Sequence, residues 1–362
     1  MATPSKTARN AKPAHEPPLL TSRDNRWLKE FRMALRGGLP TESGFVGVEG
    51  LRLVEEALRS GCPIQAVLFS ESGERHHERL APFIDRPEIA FPTLRTTDRL
   101  FEGLADTEHP QGVAALVKPR EISFDDLLRT PESACAPLLV VLAGVQDPGN
   151  VGTILRTASA FGATGAVTAA SGISGTANPY SPKALRASAG VALHLPILAG
   201  MSLAILLTQF KVAGIRTLAS SSDARLSLPP NAETPDASVG ARFSASQPGG
   251  RDAGPGTSSS RHSPLATQHF KPPGRGADEH GQESSPTHVD PPLAPWQVDW
   301  CQPIALLVGN EGAGLPEEVE RSADARVRIP MASGVESLNA AAAAAVLFYE
   351  AARQRSAVAE RS

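Results

Sequence analysis

A short, wholly apolar run that ends in a glycine-rich loop constrains the fold of this chain most. Ile304–Val308 has no polar side chain, which is typical of a strand buried on both faces of a parallel sheet. The next six residues, 309–314, read Gly-Asn-Glu-Gly-Ala-Gly, so backbone can approach a ligand beside the carboxylate of Glu311. Pro316 then opens a helix with two glutamates in its first turn. The pattern predicts a binding loop at the end of a buried strand.

A second strand and loop follow closely. Val327–Ile329 reads as a short strand, and Ser-Leu-Asn at 337–339 leads into an apolar helix over 338–352 that we expect to be buried on nearly all sides. No Lys-Ser or Lys-Thr pair follows the glycines, which argues against a phosphate loop. Taken alone, the glycine loop is as compatible with a simple turn as with a ligand site.

A third strand and loop precede these in the chain. Leu138–Ala143 is a continuous apolar strand that ends in a loop, and Asn150 is suited to cap the helix that follows. Arg156 falls off the apolar face of that helix, where an arginine is usually only solvated. Further strands are predicted at 165–169, 193–198 and 215–219. This repeated β-α pattern predicts a parallel sheet flanked by helices.

The composition divides the chain into domains. Alternating helical and extended segments over 20–120 predict a compact α/β domain, joined by a linker at 121–136 to a larger domain at 137–352. Residues 1–19 and 353–362 are expected to be tails. Residues 227–295 contain twelve prolines and hardly any apolar periodicity, which predicts a disordered insertion. Its four histidines have no metal-ligand spacing, so we expect no metal there.

Charge and cysteine usage narrow the function classes. The net charge of −3 does not indicate a polyanion partner, but residues 1–40 hold eight basic and three acidic side chains, which fits a phosphate-binding arm or a solvated tail equally. The three cysteines lie too far apart for a zinc site or a disulfide framework. No long apolar run or signal peptide is evident, so we expect a cytoplasmic protein without a membrane span.

Four motifs together resemble one family. The sequences VGNEGAGL, RIPM, SLN and NVGTILRTASAFGA resemble those of the SpoU (TrmH) class of RNA ribose 2′-O-methyltransferases in the SPOUT superfamily. The segments SRDNRWLKEFR, VEGLRLVEEALRSG and TEHPQGVAALV resemble the substrate-binding domain that precedes the catalytic domain in many of these enzymes. The resemblance implies an α/β protein. Its C-terminal parallel-sheet domain would carry a deep trefoil knot, a small ribosomal L30e-like α/β domain would precede it, and the enzyme would be a homodimer.

The resemblance also implies a site and a cofactor, S-adenosylmethionine, with no metal. The implied catalytic residues are Asn150, Arg156, Glu311, Ser337 and Asn339. The implied cofactor-binding residues are Gly309, Asn310, Gly312, Ile329, Met331 and Leu338. Exposed cations and a hydroxyl are candidate RNA contacts, namely Arg23, Arg26, Lys29, Arg32, Lys183, Arg186 and Ser188, although a solvated surface explains them about as well.

The expected reaction is methylation of a ribose 2′-hydroxyl in structured RNA, with ribosomal RNA favoured over transfer RNA. An arginine keeps its proton at neutral pH and is a poor base, so Arg156 is expected to bind an RNA phosphate and orient the hydroxyl. One departure from the family pattern is the pair Ala340 and Ala341 after the SLN motif, where the family usually has Val and Ser. The alternatives are a catalytically silent RNA-binding protein of the same fold and a transfer-RNA 2′-O-methyltransferase.

Overall fold

The computed structural model describes residues 19–86, 91–129, 136–170, 175–221, 291–332, 335 and 337–359. Most of the predicted N-terminal tail and of the insertion predicted at 227–295 lies outside these ranges. The last five residues of that insertion are described, and they are ordered by pairing. The Leu293 N–H donates to the carbonyl of Arg326, and the Arg328 N–H donates to the carbonyl of Leu293. The predicted C-terminal boundary of the insertion is therefore wrong.

The N-terminal domain is a mixed sheet with helices packed on it. Its regular elements are β1 (Leu19–Leu20), α1 (Arg26–Leu35), β2 (Val46–Glu49), α2 (Leu51–Arg59), β3 (Ile64–Ser70), α3 (His77–Ile84), β4 (Thr93–Thr96), α4 (Asp98–Glu102) and β5 (Val113–Val117). The strand order is β1-β4-β3-β5-β2, and β5 runs antiparallel to both of its neighbours. Every residue of β5 is buried, as its unbroken apolar sequence predicts.

The C-terminal domain alternates strands and helices as predicted. After α5 (Phe124–Leu128), its elements are β6 (Leu138–Ala143), α6 (Pro148–Ala160), β7 (Gly165–Ala170), α7 (Pro182–Ala187), β8 (Ile197–Ser202), α8 (Leu203–Val212), β9 (Arg216–Ser220), β10 (Ile304–Val308), α9 (Glu317–Ser322), β11 (Ala325–Val327) and α10 (Ala340–Ala359). Within the described ranges, the sheet order is β11-β9-β10-β6-β7-β8, and each pair is parallel.

The central strands β6 and β10 are buried on both faces. Alternate side chains of each strand point to opposite sides of the sheet, so one set packs with α6 and α10 and the other packs with α8. The two strands are neighbours, with Ile304 beside Leu138 and Val308 beside Leu142. Strand β7 lies on the other side of β6, so the strand order reverses here. In open α/β sheets, the carboxyl ends of strands at such a reversal form a crevice that binds ligands.

Several element boundaries differ from the sequence prediction. Helix α6 is capped by Asp147 and not by Asn150, because the Asp147 carboxylate accepts the Gly149 N–H and Pro148 occupies the first helical position. The strand predicted at 193–198 begins only at Ile197, since Val191–Leu193 forms a 3₁₀ turn.

Three further corrections concern the C-terminal domain and the linker. The strand predicted at 327–329 is Ala325–Val327. The predicted linker at 121–136 contains helix α5, whose first turn is closed by a capping box between Ser123 and Asp126. Helix α10 continues to Ala359, through most of the predicted tail.

Helix α10 is buried on one side only. Ala344, Leu347, Phe348 and other residues pack against α6 and the sheet, but Tyr349 is 58% exposed and Val346 is 42% exposed. The prediction that this helix is buried on nearly all sides is therefore wrong for the single chain. The exposed strip is apolar because residues 340–348 of the helix include no polar side chain, so every face of that part is apolar.

Helices α6 and α7 pack so closely that a glycine is needed between them. A Cβ added at Gly152 would overlap the carbonyl oxygen of Ala184 and lie 2.7 Å from the Cβ of Ala187. We expect Gly152→Ala to lower the free energy of unfolding by about 1–3 kcal/mol, the usual effect of overpacking, although alanine favours helix more than glycine. Urea unfolding measures the change.

Gly175→Ala is the matched control, because a Cβ at Gly175 meets no atom within 4 Å among the residues that the structure describes. Its free energy of unfolding should stay within about 0.5 kcal/mol of wild type. Equal stabilities for the two variants would contradict the close packing of α6 and α7.

Candidate active site

The candidate site lies at the carboxyl ends of β6 and β10. Because these strands are parallel neighbours, the loop after β6, at 144–147, and the loop after β10, at 309–314, leave the sheet side by side. The side-chain amide of Asn310 donates to the Gly144 carbonyl at 3.0 Å, which joins the two loops directly.

The loop after β10 is closed by its own hydrogen bonds. The backbones of Asn310 and Gly314 exchange two hydrogen bonds of 3.0 Å, and the side-chain oxygen of Asn310 accepts from the N–H groups of Gly312 and Ala313. A Cβ at Gly309 would collide with the backbone of Gly314, so only glycine fits there. The sequence pattern therefore reflects a tight loop, and Asn310 acts here as a loop-closing residue.

The Glu311 carboxylate gathers groups from distant parts of the chain. Its Oε1 accepts from Asn150 Nδ2 at 2.9 Å and from the Asp147 N–H at 3.3 Å, and its Oε2 accepts from the Gln146 N–H at 3.4 Å. The Oδ1 of Asn150 accepts in turn from Asn339 Nδ2 at 3.1 Å. Three segments predicted to meet are thus joined in one hydrogen-bonded chain.

Asn339 also fixes the start of α10. Its side-chain oxygen accepts from the Ala341 N–H at 2.8 Å, so it caps the helix, while its amide group reaches Asn150. The helix therefore begins at Ala340, two residues after the predicted start.

The pKa of Glu311 reflects this network. Partial desolvation alone would raise the pKa of the carboxyl group, but hydrogen bonds from Asn150 and from backbone N–H groups outweigh it and hold the pKa below its ordinary value. The hydrogen bond from Lys183 does the same for the pKa of Asp147, aided by the Gly149 N–H. Both groups are therefore ionised at neutral pH.

An open cavity of about 750 Å³, counted with the solvent at its mouth, lies beside this network. It is lined by the ends of β9, β10 and β11, by the three loops that follow these strands, and by α10. Eight of the predicted site residues line it, namely Gly309, Asn310, Glu311, Gly312, Ile329, Met331, Ser337 and Leu338. Its other walls are Ser220, Ser221, Val308, Gly314, Val327, Ala340, Ala343 and Leu347.

Sequence reasoning missed two groups of residues at the site. Ser220 and Ser221 line the cavity because β9 is the other neighbour of β10, so its carboxyl end lies at the same edge of the sheet. The strand pattern at 215–219 held that signal, but strand order is not visible in sequence. Asp147 was also missed, although the Asp-Pro pair before a helix is a typical capping signal.

Arg156 stands apart from the hydrogen-bonded chain. It lies about 9 Å along the axis of α6 from Asn150, as expected for six residues. Its side chain is exposed and forms no hydrogen bond or ion pair with any residue that the structure describes. The guanidinium is accordingly available to a ligand outside the protein.

The predicted RNA contacts of the N-terminal domain lie around helix α1. Arg23 is exposed and Arg32 is half-buried. Arg26 pairs with Glu30 at 2.9 Å, and Lys29 pairs with Asp24 at 3.2 Å. Exposed pairs of this kind contribute little to stability, so these cations are not lost to RNA.

Of the predicted RNA contacts on α7, two form ion pairs with other parts of the chain and one is buried. Lys183 pairs with Asp147 at 2.5 Å and Arg186 pairs with Asp106 at 2.7 Å. Ser188 is fully buried, and its hydroxyl donates to the Leu185 carbonyl at 3.1 Å. The prediction that Ser188 contacts RNA is wrong, because packing of α7 against α6 closes it off.

Two polar side chains of the N-terminal domain accept hydrogen bonds from the backbone. Glu49 is buried and accepts from the Asp106 N–H at 2.9 Å and from the Thr107 hydroxyl. The Gln111 side chain accepts from the Leu51 N–H at 2.8 Å. Within the described ranges there is no cluster of three or more His, Cys, Asp or Glu residues arranged to hold a metal. The helices described there include none that is long and apolar enough to cross a membrane.

In comparisons with known protein families, each of the two domains matches one family. The profile of the SpoU rRNA Methylase family matches residues 137–239 and 277–349. The profile described as RNA 2′-O ribose methyltransferase substrate binding matches residues 48–123.

Curated relatives cover nearly the whole chain. A 23S rRNA (uridine(2479)-2′-O)-methyltransferase from Streptomyces viridochromogenes is 30% identical over 336 residues, which is 93% of this chain and 92% of that protein. An uncharacterized tRNA/rRNA methyltransferase from Synechocystis is 28% identical over 336 residues, covering 93% and 94% of the two chains.

Solved structures share the fold. The SpoU methyltransferase AviRb from Streptomyces viridochromogenes, in complex with AdoMet, superposes with a TM-score of 0.61 at 22% identity and covers 91% of this chain and 98% of that one. An AdoMet-bound rRNA methyltransferase from Sinorhizobium meliloti gives 0.61 at 24% identity, covering 92% and 97%. The prediction of an α/β fold with a parallel sheet is confirmed.

The depressed pKa of Glu311 has a consequence for stability. A carboxylate whose pKa is lower in the folded than in the unfolded chain stabilises the fold above its ordinary pKa, and this contribution is lost as pH falls through the folded value. We therefore expect Glu311→Gln to be less stable than wild type at pH 7, with the difference shrinking below about pH 4. Urea unfolding at several pH values measures it.

Glu317→Gln is the control, because Glu317 is exposed and pairs only with exposed Arg321 on the same helix. It should change stability little at any pH. A Glu311→Gln deficit that stays constant from pH 7 to pH 3 would contradict the hydrogen-bonded carboxylate.

Proposed function

This chain belongs to the SpoU rRNA methylase family, and we propose that it transfers a methyl group from S-adenosylmethionine to the 2′-hydroxyl of a ribose in ribosomal RNA. The observation that carries the proposal is the hydrogen-bonded chain from Glu311 through Asn150 to Asn339. It joins three family motifs, and two of them line the cavity beside it, one through Glu311 and the other through Ser337 and Leu338.

The cavity suits S-adenosylmethionine, whose sulfonium carries the methyl group to be transferred. Gly309 and Gly312 expose backbone groups there, and Ile329 and Leu338 offer apolar surface for a ring. Glu311 is ionised at neutral pH, and a negative wall favours a cationic ligand. Asn310 and Met331 complete the proposed binding set, the first by closing the loop and the second by lining the wall.

Arg156 is proposed to bind an RNA phosphate next to the reacting ribose. It is exposed and forms no hydrogen bond or ion pair with a described residue, so no internal partner of this kind competes for it. A planar guanidinium binds phosphate through two parallel hydrogen bonds, which fixes the orientation of the nucleotide. Orienting the hydroxyl toward the methyl group is the main catalytic requirement of this displacement. Asn150, Ser337 and Asn339 hold the wall against which the ribose would lie.

The finer features of the fold belong to the same proposal. A trefoil knot is supported by the match to the SpoU family, and Ser337, Leu338 and Ala340 line the cavity together with residues of the loop after β10. An L30e-like origin of the N-terminal domain is supported by its mixed sheet flanked by helices and by the profile match at 48–123. We place the enzyme in the cytoplasm, where its widely spaced cysteines would stay reduced.

The substrate is proposed to be ribosomal RNA and not transfer RNA. The matched family is described as an rRNA methylase, and one relative that spans both domains is named a 23S rRNA 2′-O-methyltransferase. The exposed cations around α1, Arg23, Arg26, Lys29 and Arg32, are the proposed RNA contacts of the N-terminal domain, and Lys183 is the proposed contact on α7.

A homodimer is supported by the exposed strip on α10. Val346 and Tyr349 are large apolar side chains that single chains rarely leave in contact with water on adjacent turns of one helix. Covering this strip with a second copy would complete the burial that the apolar sequence of the helix predicts.

Arg156→Ala tests the catalytic proposal. We expect it to lower the rate of methyl transfer at least about 100-fold, because a misplaced nucleophile loses most of the benefit of orientation. The measurement is transfer of labelled methyl groups from S-adenosylmethionine to ribosomal RNA from a strain that lacks the gene, followed by mapping of the methylated ribose. Binding of S-adenosylmethionine by calorimetry should not change.

Arg129→Ala, an exposed arginine on the opposite side of the sheet, is the control and should methylate RNA at the wild-type rate. Normal activity of Arg156→Ala would refute the role of Arg156. A wild-type protein that gives no heat with S-adenosylmethionine would instead indicate a catalytically silent RNA-binding protein.

Tyr349→Arg tests the dimer. A charge in the middle of an apolar contact surface should raise the dimer dissociation constant at least about tenfold, which sedimentation velocity would measure. Thermal unfolding of the monomer checks that the chain still folds. Arg353→Ala, one turn further along α10, is the control. It removes an exposed side chain that pairs with Glu350 on the same helix, so we expect it to change the dimer dissociation constant less than Tyr349→Arg does. A monomeric wild-type protein at micromolar concentration would contradict the dimer.

A further inference from the structure

Arg186 joins the two domains of the chain. Its Nη2 lies 2.7 Å from Asp106 Oδ2, and both side chains are only about one third exposed, at 35% and 34%. Arg186 belongs to α7 in the catalytic domain, and Asp106 belongs to the loop before β5 in the N-terminal domain. Because both side chains are half-buried, neighbouring residues restrict the geometry of this pair. Arg26 and Lys29 of α1 are more exposed, so their pairs are less restricted.

The carboxylate end of this pair is held firmly. The Asp106 N–H donates to the buried carboxylate of Glu49 at 2.9 Å, and the hydroxyl of the next residue, Thr107, donates to the same carboxylate. Glu49 is the last residue of β2, so the position of Asp106 follows the sheet of the N-terminal domain.

The arginine end is held just as firmly to the catalytic helix. Helix α7 packs on α6 at Gly152, where no side chain would fit, and Ser188 is fully buried at the end of α7. Lys183, one turn before Arg186, pairs with Asp147, which caps α6 three residues before Asn150. Helix α7 therefore cannot shift without moving the helix that carries the proposed catalytic residues.

Other contacts close the interface around this pair. His194 Nε2 lies 2.7 Å from Glu56 Oε1, and the Cys62 thiol donates to the Leu193 carbonyl at 3.4 Å. Gly190 has a φ of +86°, and a Cβ there would lie 2.8 Å from the Cγ of Glu56. The buried apolar residues on both sides belong to one continuous core. The N-terminal domain is thus docked on the catalytic domain of its own chain.

We propose that Arg186 is a positioning residue, which through Asp106 holds the RNA-binding domain at a fixed distance and angle from the methyl-transfer pocket. This inference rests on the proposed function, and it replaces the prediction that Arg186 itself binds RNA. An RNA gripped by the N-terminal domain would then present one ribose to the pocket, so the docked interface selects the nucleotide. A loosely tethered domain would present several.

Charge reversal and charge exchange separate the two roles of Arg186. Asp106→Arg places two cations together, so we expect kcat for RNA methylation to fall at least about tenfold, while the Kd for RNA in filter binding stays within about threefold. The exchange variant, Asp106→Arg with Arg186→Asp, restores the pair in reverse and should recover kcat to within about threefold of wild type. The RNA is ribosomal RNA from a strain that lacks the gene.

An RNA-contacting Arg186 predicts the opposite pattern. Asp106→Asn would then release the guanidinium and tighten RNA binding, and the exchange variant would stay inactive because its residue 186 is anionic. Either result would overturn the proposal. Arg129→Asp, which reverses the charge of an arginine 80% exposed, controls for the change in net charge and should leave kcat unchanged.

Three readouts keep the test independent of folding and of the reaction. Thermal unfolding and calorimetry with S-adenosylmethionine show whether each variant folds. Hydrogen–deuterium exchange should rise in 104–107 and 182–188 for Asp106→Arg and return to wild type in the exchange variant. The change in hydrogen–deuterium exchange is expected even if the wild-type protein methylates no RNA. A failure of the proposed function can therefore be told apart from a failure of the docking proposal. Unchanged exchange in Asp106→Arg would overturn the docking role of the pair.

Discussion

The hydrogen bonds accepted by Glu311 are the interaction on which the site depends. One carboxylate oxygen binds Asn150 of α6 and the backbone of the β6 loop, and Asn150 binds Asn339 at the start of α10. An ionised carboxylate is a strong acceptor, and these donors depress its pKa further. The negative charge of Glu311 would favour a cationic ligand in the cavity, and the same carboxylate holds the β6 loop and α6 through its hydrogen bonds.

Tight backbone packing makes that network possible. Gly309 lets the loop after β10 fold back on itself, and Gly152 lets α7 lie directly on α6. In both places a side chain would push apart elements whose polar groups must meet at about 3 Å. The first close approach lies in the loop that lines the cavity. The second joins α6 to α7, and α7 carries Arg186, which pairs with Asp106 of the N-terminal domain. In the proposed function, RNA binding by the N-terminal domain and methyl transfer at the cavity would share this packing.

Much of this could be read from the sequence because the signals are local. Fully apolar runs gave the strands β6 and β10, glycines marked the loop, and four motifs together gave the family and its cofactor. Helix ends are harder to predict from sequence, because more than one neighbouring residue can act as the cap. Asn150 was assigned as a cap from its residue type, but Asp147 with Pro148 competes for the same role and wins, which frees Asn150 to bind Glu311. Asn150 therefore belongs to the hydrogen-bonded chain and does not cap the helix.

The sequence by itself determined which residues can form strands, loops and a donor-binding pocket, since residue type and spacing set burial and backbone freedom. Only the tertiary structure decided which of the predicted polar residues stay open to a ligand outside the protein. Arg156, Arg186 and Ser188 all lie in helices or at their ends. One is exposed, one is paired across a domain interface and one is buried under a neighbouring helix. These outcomes depend on contacts between distant segments, and such contacts leave no periodicity in the sequence.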